Sequence, residues 1–180
     1  VKRRLPLKPA EFTSAKSIGT SLAFDYALLF QRSQLEHELS CNVELELGPT
    51  GTAQLLTLES PAFNKNSLLS ILSQNRELKV LKVANGTGID QSLEDWHFSH
   101  GITHLDLGGG DVTSLGLGKL NYLPFLEVLV LQNNKMNADS LEQLKTLKTL
   151  KTLDLSECDF SETNADSLEK LKLLTKLETL

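Results

Sequence analysis

The apolar positions of this chain follow a comb of leucines that recurs along most of its length. Between Leu141 and Leu153 a leucine stands at every third residue, and Leu155 then follows after a step of two. Steps of three suit a helical or turn segment, whereas a step of two suits a strand, in which alternate side chains share a face. The pattern therefore predicts a unit that passes from a convex helical segment into a short strand.

The same comb occurs in five registers, displaced by 24 residues three times and by 27 residues once. Each comb ends in a gap of polar and glycine residues. A leucine zipper requires spacings of three and four over several heptads, so the pattern excludes a zipper. A fixed period in the twenties instead predicts a solenoid, in which each leucine stacks on its counterpart in the next layer. The five registers begin at Leu69, Leu93, Leu117, Leu141 and Leu168.

One of these units, LEVLVLQNN at residues 126–134, contains a complete L-x-x-L-x-L-x-x-N core, and here the sequence resembles the leucine-rich repeat family. Cys158 is an accepted substitute for the asparagine, whereas Gly86 and Gly110 depart from the pattern. The resemblance covers roughly residues 53–180, and the repeat style is similar to bacterial 24-residue repeats. It implies an α/β leucine-rich repeat solenoid, a right-handed β-α superhelix with a parallel sheet inside the curve.

The residues before the repeats predict a cap. Residues 1–9 are basic, contain two prolines and suit a linker, whereas a helix is expected from about residue 20 to residue 39. Residues 43–47 and 52–58 alternate as two strands around a four-residue turn, Gly48 to Gly51. We therefore predict an N-terminal helical and hairpin cap over residues 10–58 and leucine-rich repeats over residues 53–180, truncated at the C terminus. Since the chain lacks an initiator methionine and a polar capping repeat, we expect a fragment of a larger protein.

The net charge of −5 argues against a nucleic-acid partner, for which a basic surface would be expected. No stretch of about 18 apolar residues predicts a membrane span. The helix before residue 39 could instead lie on a membrane surface, but its polar half has one arginine against two glutamates. Cys41 and Cys158 lie far apart without CxxC spacing, and two free thiols suit a reducing compartment. We therefore predict a cytoplasmic location.

The non-core positions of the predicted strands form the candidate binding site. By the family resemblance, this concave face binds a protein partner, and Val128 with Val130 would be its apolar patch. A solvated sheet without a partner would show the same irregular columns. The third strand positions are Val80, His104, Val128 and Thr152, and the fifth are Lys82, Asp106, Val130 and Asp154.

Other chemistries fit the sequence less well. Asp106 and Asp154 would be about 9–10 Å apart, within the range of inverting hydrolases, but Val130 stands between them. His97 and His100 fall on the convex side and His104 on the concave side, so they cannot share a metal ion. The triple glycine at residues 108–110 lacks the GK[ST] of a phosphate loop. We expect no catalytic residue, no cofactor and no metal site.

These patterns favour a non-enzymatic protein–protein interaction module with a protein partner. We expect the chain to be a monomer and not an oligomer. An alternative is a regulatory or substrate-recruiting domain of a larger enzyme such as a Ser/Thr protein kinase, because some bacterial proteins carry similar arrays beside kinase domains. A self-associating scaffold is the third possibility.

Overall fold

The computed structural model describes residues 31–48, 52–64, 67–94 and 101–180. Its strands are short and its helices lie between them in the chain, so each unit runs from strand through loop to helix. The strands are β1 Asn42–Leu47, β2 Ala53–Glu59, β3 Val80–Ala84, β4 His104–Asp106, β5 Val128–Val130 and β6 Thr152–Asp154. The helices are α1 (residues 31–39 of the described chain), α2 Ser67–Gln74, α3 Ile89–Leu93, α4 Ser114–Lys119, α5 Ala138–Leu144 and α6 Ala165–Leu168, with 3-10 turns at Leu120–Tyr122 and Glu169–Leu173.

The strands form a six-stranded sheet whose order follows the chain. β1 pairs antiparallel with β2, and every later neighbour pair is parallel. His104 pairs with Val128, and Val128 pairs with Thr152, so the strands are in register at the 24-residue period of the sequence. An isolated bridge from Thr152 to Thr179 continues this column across the 27-residue unit. The register predicted from the leucine comb is therefore confirmed.

The comb itself forms the core. At the central strand position, Leu56, Leu81, Leu105, Leu129 and Leu153 are all almost completely buried, each one strand away from the next. Because a single strand of three residues cannot bury an apolar face alone, the stack of successive coils supplies the cover. The loop positions Val112 and Met136 are also buried, whereas their counterpart Phe160 is half-buried in the last coil.

Each coil turns away from the sheet through one residue of left-handed backbone conformation. Non-glycine residues rarely adopt this conformation, and asparagine tolerates it better than most. Glycine occupies the position in the third of these turns, where a Cβ would collide with Oδ1 of Asn85. The turn residues are Ser60, Asn85, Gly109, Asn133 and Glu157, with φ between 52° and 64°.

Side chains from the loops fasten the helices. Oδ1 of Asn137 accepts a hydrogen bond from Ser140 N at 2.8 Å, and Asn164 caps α6 in the same way, which explains the repeated NADSLE segment.

Asp90 and Asp111 link two coils reciprocally. Asp111 accepts hydrogen bonds from the backbone of Gly88 and Ile89 at the start of α3. Asp90 in turn accepts hydrogen bonds from the backbone of Thr113 and Gly116 at the start of α4, at 3.0 and 3.1 Å.

The predicted hairpin is present, with different bounds. Val43 is buried whereas Glu44 and Glu46 are exposed, as the alternation predicts. The predicted four-residue loop is wrong: β1 ends at Leu47 and β2 begins at Ala53, so five residues separate the strands. Gly48 N donates to Thr52 O at 2.9 Å across the turn. The pairing register shifts by one residue between Glu46 and Leu47, just before the turn.

Several predictions fall on residues outside the described ranges. These are the linker at residues 1–9, the first half of the predicted helix, the turn residues 49–51, and the positions of His97 and His100. The second half of the helix is described: Leu35 and Leu39 lie in α1 and are buried in the core. The division of the chain into linker, cap and repeats stays a prediction.

Candidate functional site

The eight predicted site residues lie on four neighbouring strands, β3 to β6, in two columns. Val80 pairs with His104 along the first column, and Lys82 pairs with Asp106 along the second. Neighbouring strands lie about 4.8 Å apart, so each column presents four side chains over about 14 Å. The core leucine of each strand stands between the two columns in sequence and is buried on the opposite face. We call these two columns, Val80, His104, Val128 and Thr152 with Lys82, Asp106, Val130 and Asp154, the column surface.

The column surface is uneven in exposure and polarity. Lys82 and His104 are exposed, whereas the other six side chains are half-buried by their neighbours. Val128 and Val130 form a small apolar patch on β5, between His104 with Asp106 on one side and Thr152 with Asp154 on the other. A patch of this kind can receive an apolar side chain without a change in the sheet.

The two aspartates of the column surface are held by their own backbone. Asp106 Oδ1 accepts a hydrogen bond from Gly108 N at 2.9 Å, and Asp154 Oδ1 accepts one from Ser156 N at 2.8 Å. Hydrogen bonds from the side chain and backbone of Ser156 lower the pKa of Asp154. A carboxylate that ends a strand in this way is a turn-forming group. The general acid of a catalytic pair needs a raised pKa, whereas the pKa of Asp154 is lowered, so Asp154 does not suit that role.

A second polar column lies at the N-terminal ends of the strands. Its backbone continues the ladder: Thr103 N donates to Lys79 O at 2.9 Å, and Lys151 N donates to Glu127 O at 2.8 Å. Lys151 Nζ and Glu127 Oε1 are 2.9 Å apart. The hydrogen bond from Lys151 lowers the pKa of Glu127, and Lys176 and His104 lower it further by their charge. We call Lys79, Thr103, Glu127, Lys151 and Glu178 the edge column.

Replacement of Lys151 by methionine is expected to raise the pKa of Glu127 back towards its ordinary value, because the largest cause of the depression is removed. An NMR pH titration of the Glu127 side-chain carboxyl would measure the change. A carboxyl group whose pKa is lower in the folded state than in the unfolded state stabilises the fold at pH values above the unfolded pKa. This stabilisation is lost as the pH falls through the folded-state pKa. Since the pair is exposed, the Lys151→Met variant should unfold at nearly the wild-type urea concentration at neutral pH. An unchanged Glu127 pKa would contradict the assignment.

The other sequence candidates have local structural roles. Gly109, in the triple glycine, occupies the left-handed turn position, as Asn85 does in the preceding coil. His104 Nδ1 lies 2.8 Å from Thr103 Oγ1, and no group of three or more His, Cys, Asp or Glu side chains in the described ranges could hold a metal ion. Cys41 and Cys158 are free and half-buried, and burial raises the pKa of both thiols.

Sequence reasoning missed a groove beside the edge column. This groove of about 440 Å³ contains Phe125, which is 60% exposed. The available signal was the repeat alignment, because Phe125 occupies the position held by Gly101, Thr149 and Lys176 in other coils. A large aromatic at a position that is small or polar elsewhere indicates a surface peculiar to this coil.

Among the helices that the structure describes, none has both the length and the apolar character needed to cross a membrane.

No protein-family model matches the sequence, and no curated protein matches it. Among solved structures, the chain is similar to an internalin from Listeria monocytogenes, with 23% identity, a TM-score of 0.46, and coverage of 62% of this chain and 30% of the internalin. The chain thus spans less than a third of the length of that protein. It is also similar to a chain in the Drosophila melanogaster SNF/U2A' complex, with 15% identity, a TM-score of 0.52, and coverage of 80% of this chain and 78% of the other. Both are leucine-rich repeat structures, and the second likeness, together with the sheet described above, shows that this chain has a leucine-rich-repeat-like fold.

Proposed function

We propose that the chain is a non-enzymatic protein-binding module and that the column surface receives the partner. The observation that carries the proposal is the alignment of the eight side chains in two columns, with the half-buried Val128 and Val130 patch between charged and polar neighbours. Backbone hydrogen bonds and buried leucines fix these positions before any partner arrives. A preformed surface loses little conformational entropy on binding, so a few anchoring contacts suffice for affinity.

The proposal is tested by placing charge in the apolar patch. We expect the double variant Val128→Asp, Val130→Asp to lose its partner at least about 100-fold in affinity, because two buried carboxylates would be desolvated without a counter-charge. Affinity purification with wild-type and variant protein would identify candidates, and calorimetry with each purified candidate would measure the affinities.

The matched control places the same charges on the opposite side of the coil. Leu115 and Tyr122 are 76% and 41% exposed, and the variant Leu115→Asp, Tyr122→Asp should bind as the wild type does. Urea unfolding of all three proteins would establish that they are folded. Equal affinity of the column-surface variant and the wild type would overturn the proposal.

We further propose that α1 and β1 cap the solenoid. Without β1, the edge of β2 would expose unpaired backbone groups, and β1 satisfies them by antiparallel pairing. Leu35 and Leu39 of α1 are buried in the same core. A cap of this kind keeps the end of a repeat array soluble.

The sequence-based alternative, a regulatory or substrate-recruiting domain of a larger enzyme, stays a prediction, as do the cytoplasmic location and the monomeric state. The gene sequence on both sides of the chain distinguishes the alternative, because a catalytic domain there would support it. Light scattering at two concentrations measures the oligomeric state.

A further inference from the structure

The groove beside the edge column crosses several coils at the N-terminal ends of the strands. Its lining combines residues of the edge column with the residues two positions before them in the chain, such as Gly101 before Thr103 and Phe125 before Glu127. The column surface begins one residue further along each strand, so the groove is a neighbouring but separate surface. It spans four steps between coils, from Lys79 to Lys176, or about 19 Å at the usual strand spacing.

One residue of the groove lining, Phe125, is aromatic. Phe125 is 60% exposed although the leucines around it in the sequence, Leu123 and Leu126, are buried. Gly101 holds the equivalent position in the preceding coil and has no side chain. Lys79 Nζ lies there instead, 3.3 Å from Gly101 O, and most of the Phe125 side chain stays exposed. An apolar side chain from a partner can therefore pack on the ring, and burial of the exposed aromatic area would favour binding.

The charge of the groove is opposite to that of the chain. Three lysines and one glutamate line it, which gives 3 − 1 = +2, whereas the whole chain carries −5. Lys151 is paired with Glu127 at the centre. The exposed Lys79 and Lys176 stand at the two ends, and Lys79 Nζ donates a hydrogen bond to Gly101 O at 3.3 Å. The basic groove attracts an acidic segment at short range. The net negative charge of the whole chain repels anions at longer range.

We propose that this groove binds an acidic, extended segment of a partner protein. An apolar side chain of the segment packs on Phe125, and carboxylates on either side of it face Lys79 and Lys176. At about 3.3 Å per residue, six extended residues cover the 19 Å span. A single strand of nucleic acid could also stack on an aromatic ring, but the central Glu127 and the net charge of the chain disfavour a continuous row of phosphates.

The test uses a fluorescein-labelled peptide of about ten residues, with two glutamates at each end, a central leucine, and serine and glycine elsewhere. Fluorescence anisotropy at about 0.15 M salt should show saturable binding below about 1 mM peptide. The double variant Lys79→Glu, Lys176→Glu should bind the peptide about tenfold more weakly, and Phe125→Ser should weaken binding by a similar factor.

A matched variant separates a specific site from general charge attraction. Lys135→Glu, Lys172→Glu makes the same change in net charge at exposed positions outside the groove, and it should bind within about twofold of wild type. The neutral variant Val128→Thr, Val130→Thr should also retain the peptide, because it leaves the charge beside the groove unchanged, so the groove and the column surface are tested independently.

Three results would overturn the assignment. The first is the absence of saturable binding at about 1 mM peptide, and the second is an equal loss in the groove variant and the matched variant. The third is tighter binding of an oligouridine of the same charge, which would assign the groove to nucleic acid instead. Urea unfolding establishes that each variant is folded; the substituted lysines and Phe125 are exposed, whereas Val128 and Val130 are half-buried.

Discussion

Replacing Leu129 by alanine is expected to lower the free energy of unfolding by about 3 kcal/mol, within the range of about 2–5 kcal/mol for leucine in a packed core. Leu129 is fully buried in β5, in the middle of the core column, with Leu105 on one side and Leu153 on the other. The strands on both sides are held by backbone ladders, so the coils cannot collapse to fill the cavity. Urea unfolding followed by circular dichroism measures the loss.

The matched control is Leu115→Ala. Leu115 lies in α4 and is 76% exposed, so the same chemical change should cost less than about 0.5 kcal/mol. A comparable loss at the two positions would contradict the stacked core. A variant of Leu129 that is destabilised with an unchanged urea slope would show that the coils still unfold as one cooperative unit.

Replacing Asn134 by alanine is expected to lower the free energy of unfolding by about 1–3 kcal/mol, because it removes the side-chain donor to Leu107 O and one of two donors to Leu131 O. Asn134 is 4% exposed, and its Nδ2 donates to Leu107 O at 3.0 Å and to Leu131 O at 2.9 Å. A longer contact of 3.2 Å joins it to Gln132 O. The first of these bonds connects two coils, so the side chain fastens successive turns of the solenoid at the point where each strand ends.

The next coil supplies its own control for this prediction. Cys158 occupies the equivalent repeat position, and its Sγ lies 3.1 Å from Leu131 O, a carbonyl that Asn134 also reaches. The variant Asn134→Cys should therefore be intermediate in stability between Asn134→Ala and wild type, since a thiol provides one weak donor. Urea unfolding of the three proteins measures the order. A cysteine variant no more stable than the alanine variant would show that the side-chain hydrogen bond at this position contributes little to stability.

The column surface was largely predictable, because residues one period apart stack on each other in a solenoid. The 24-residue spacing from His104 to Val128 to Thr152 predicts the strand pairing that the structure has. The orientation of the aspartates was not predictable from the period. Asp106 and Asp154 each bind the backbone two residues further on, a local turn contact that the repeat pattern does not encode.

The sequence by itself determined the period, the strand register and the buried leucine columns, since each depends on spacing within and between neighbouring units. Tertiary structure alone decided the reciprocal contacts of Asp90 and Asp111, which join residues more than twenty positions apart and follow no repeat. It also decided that Phe125 stays exposed while Leu123 and Leu126, close to it in the sequence, are buried. Periodicity specifies which layers meet, whereas the side chains of two particular layers determine what their common surface presents.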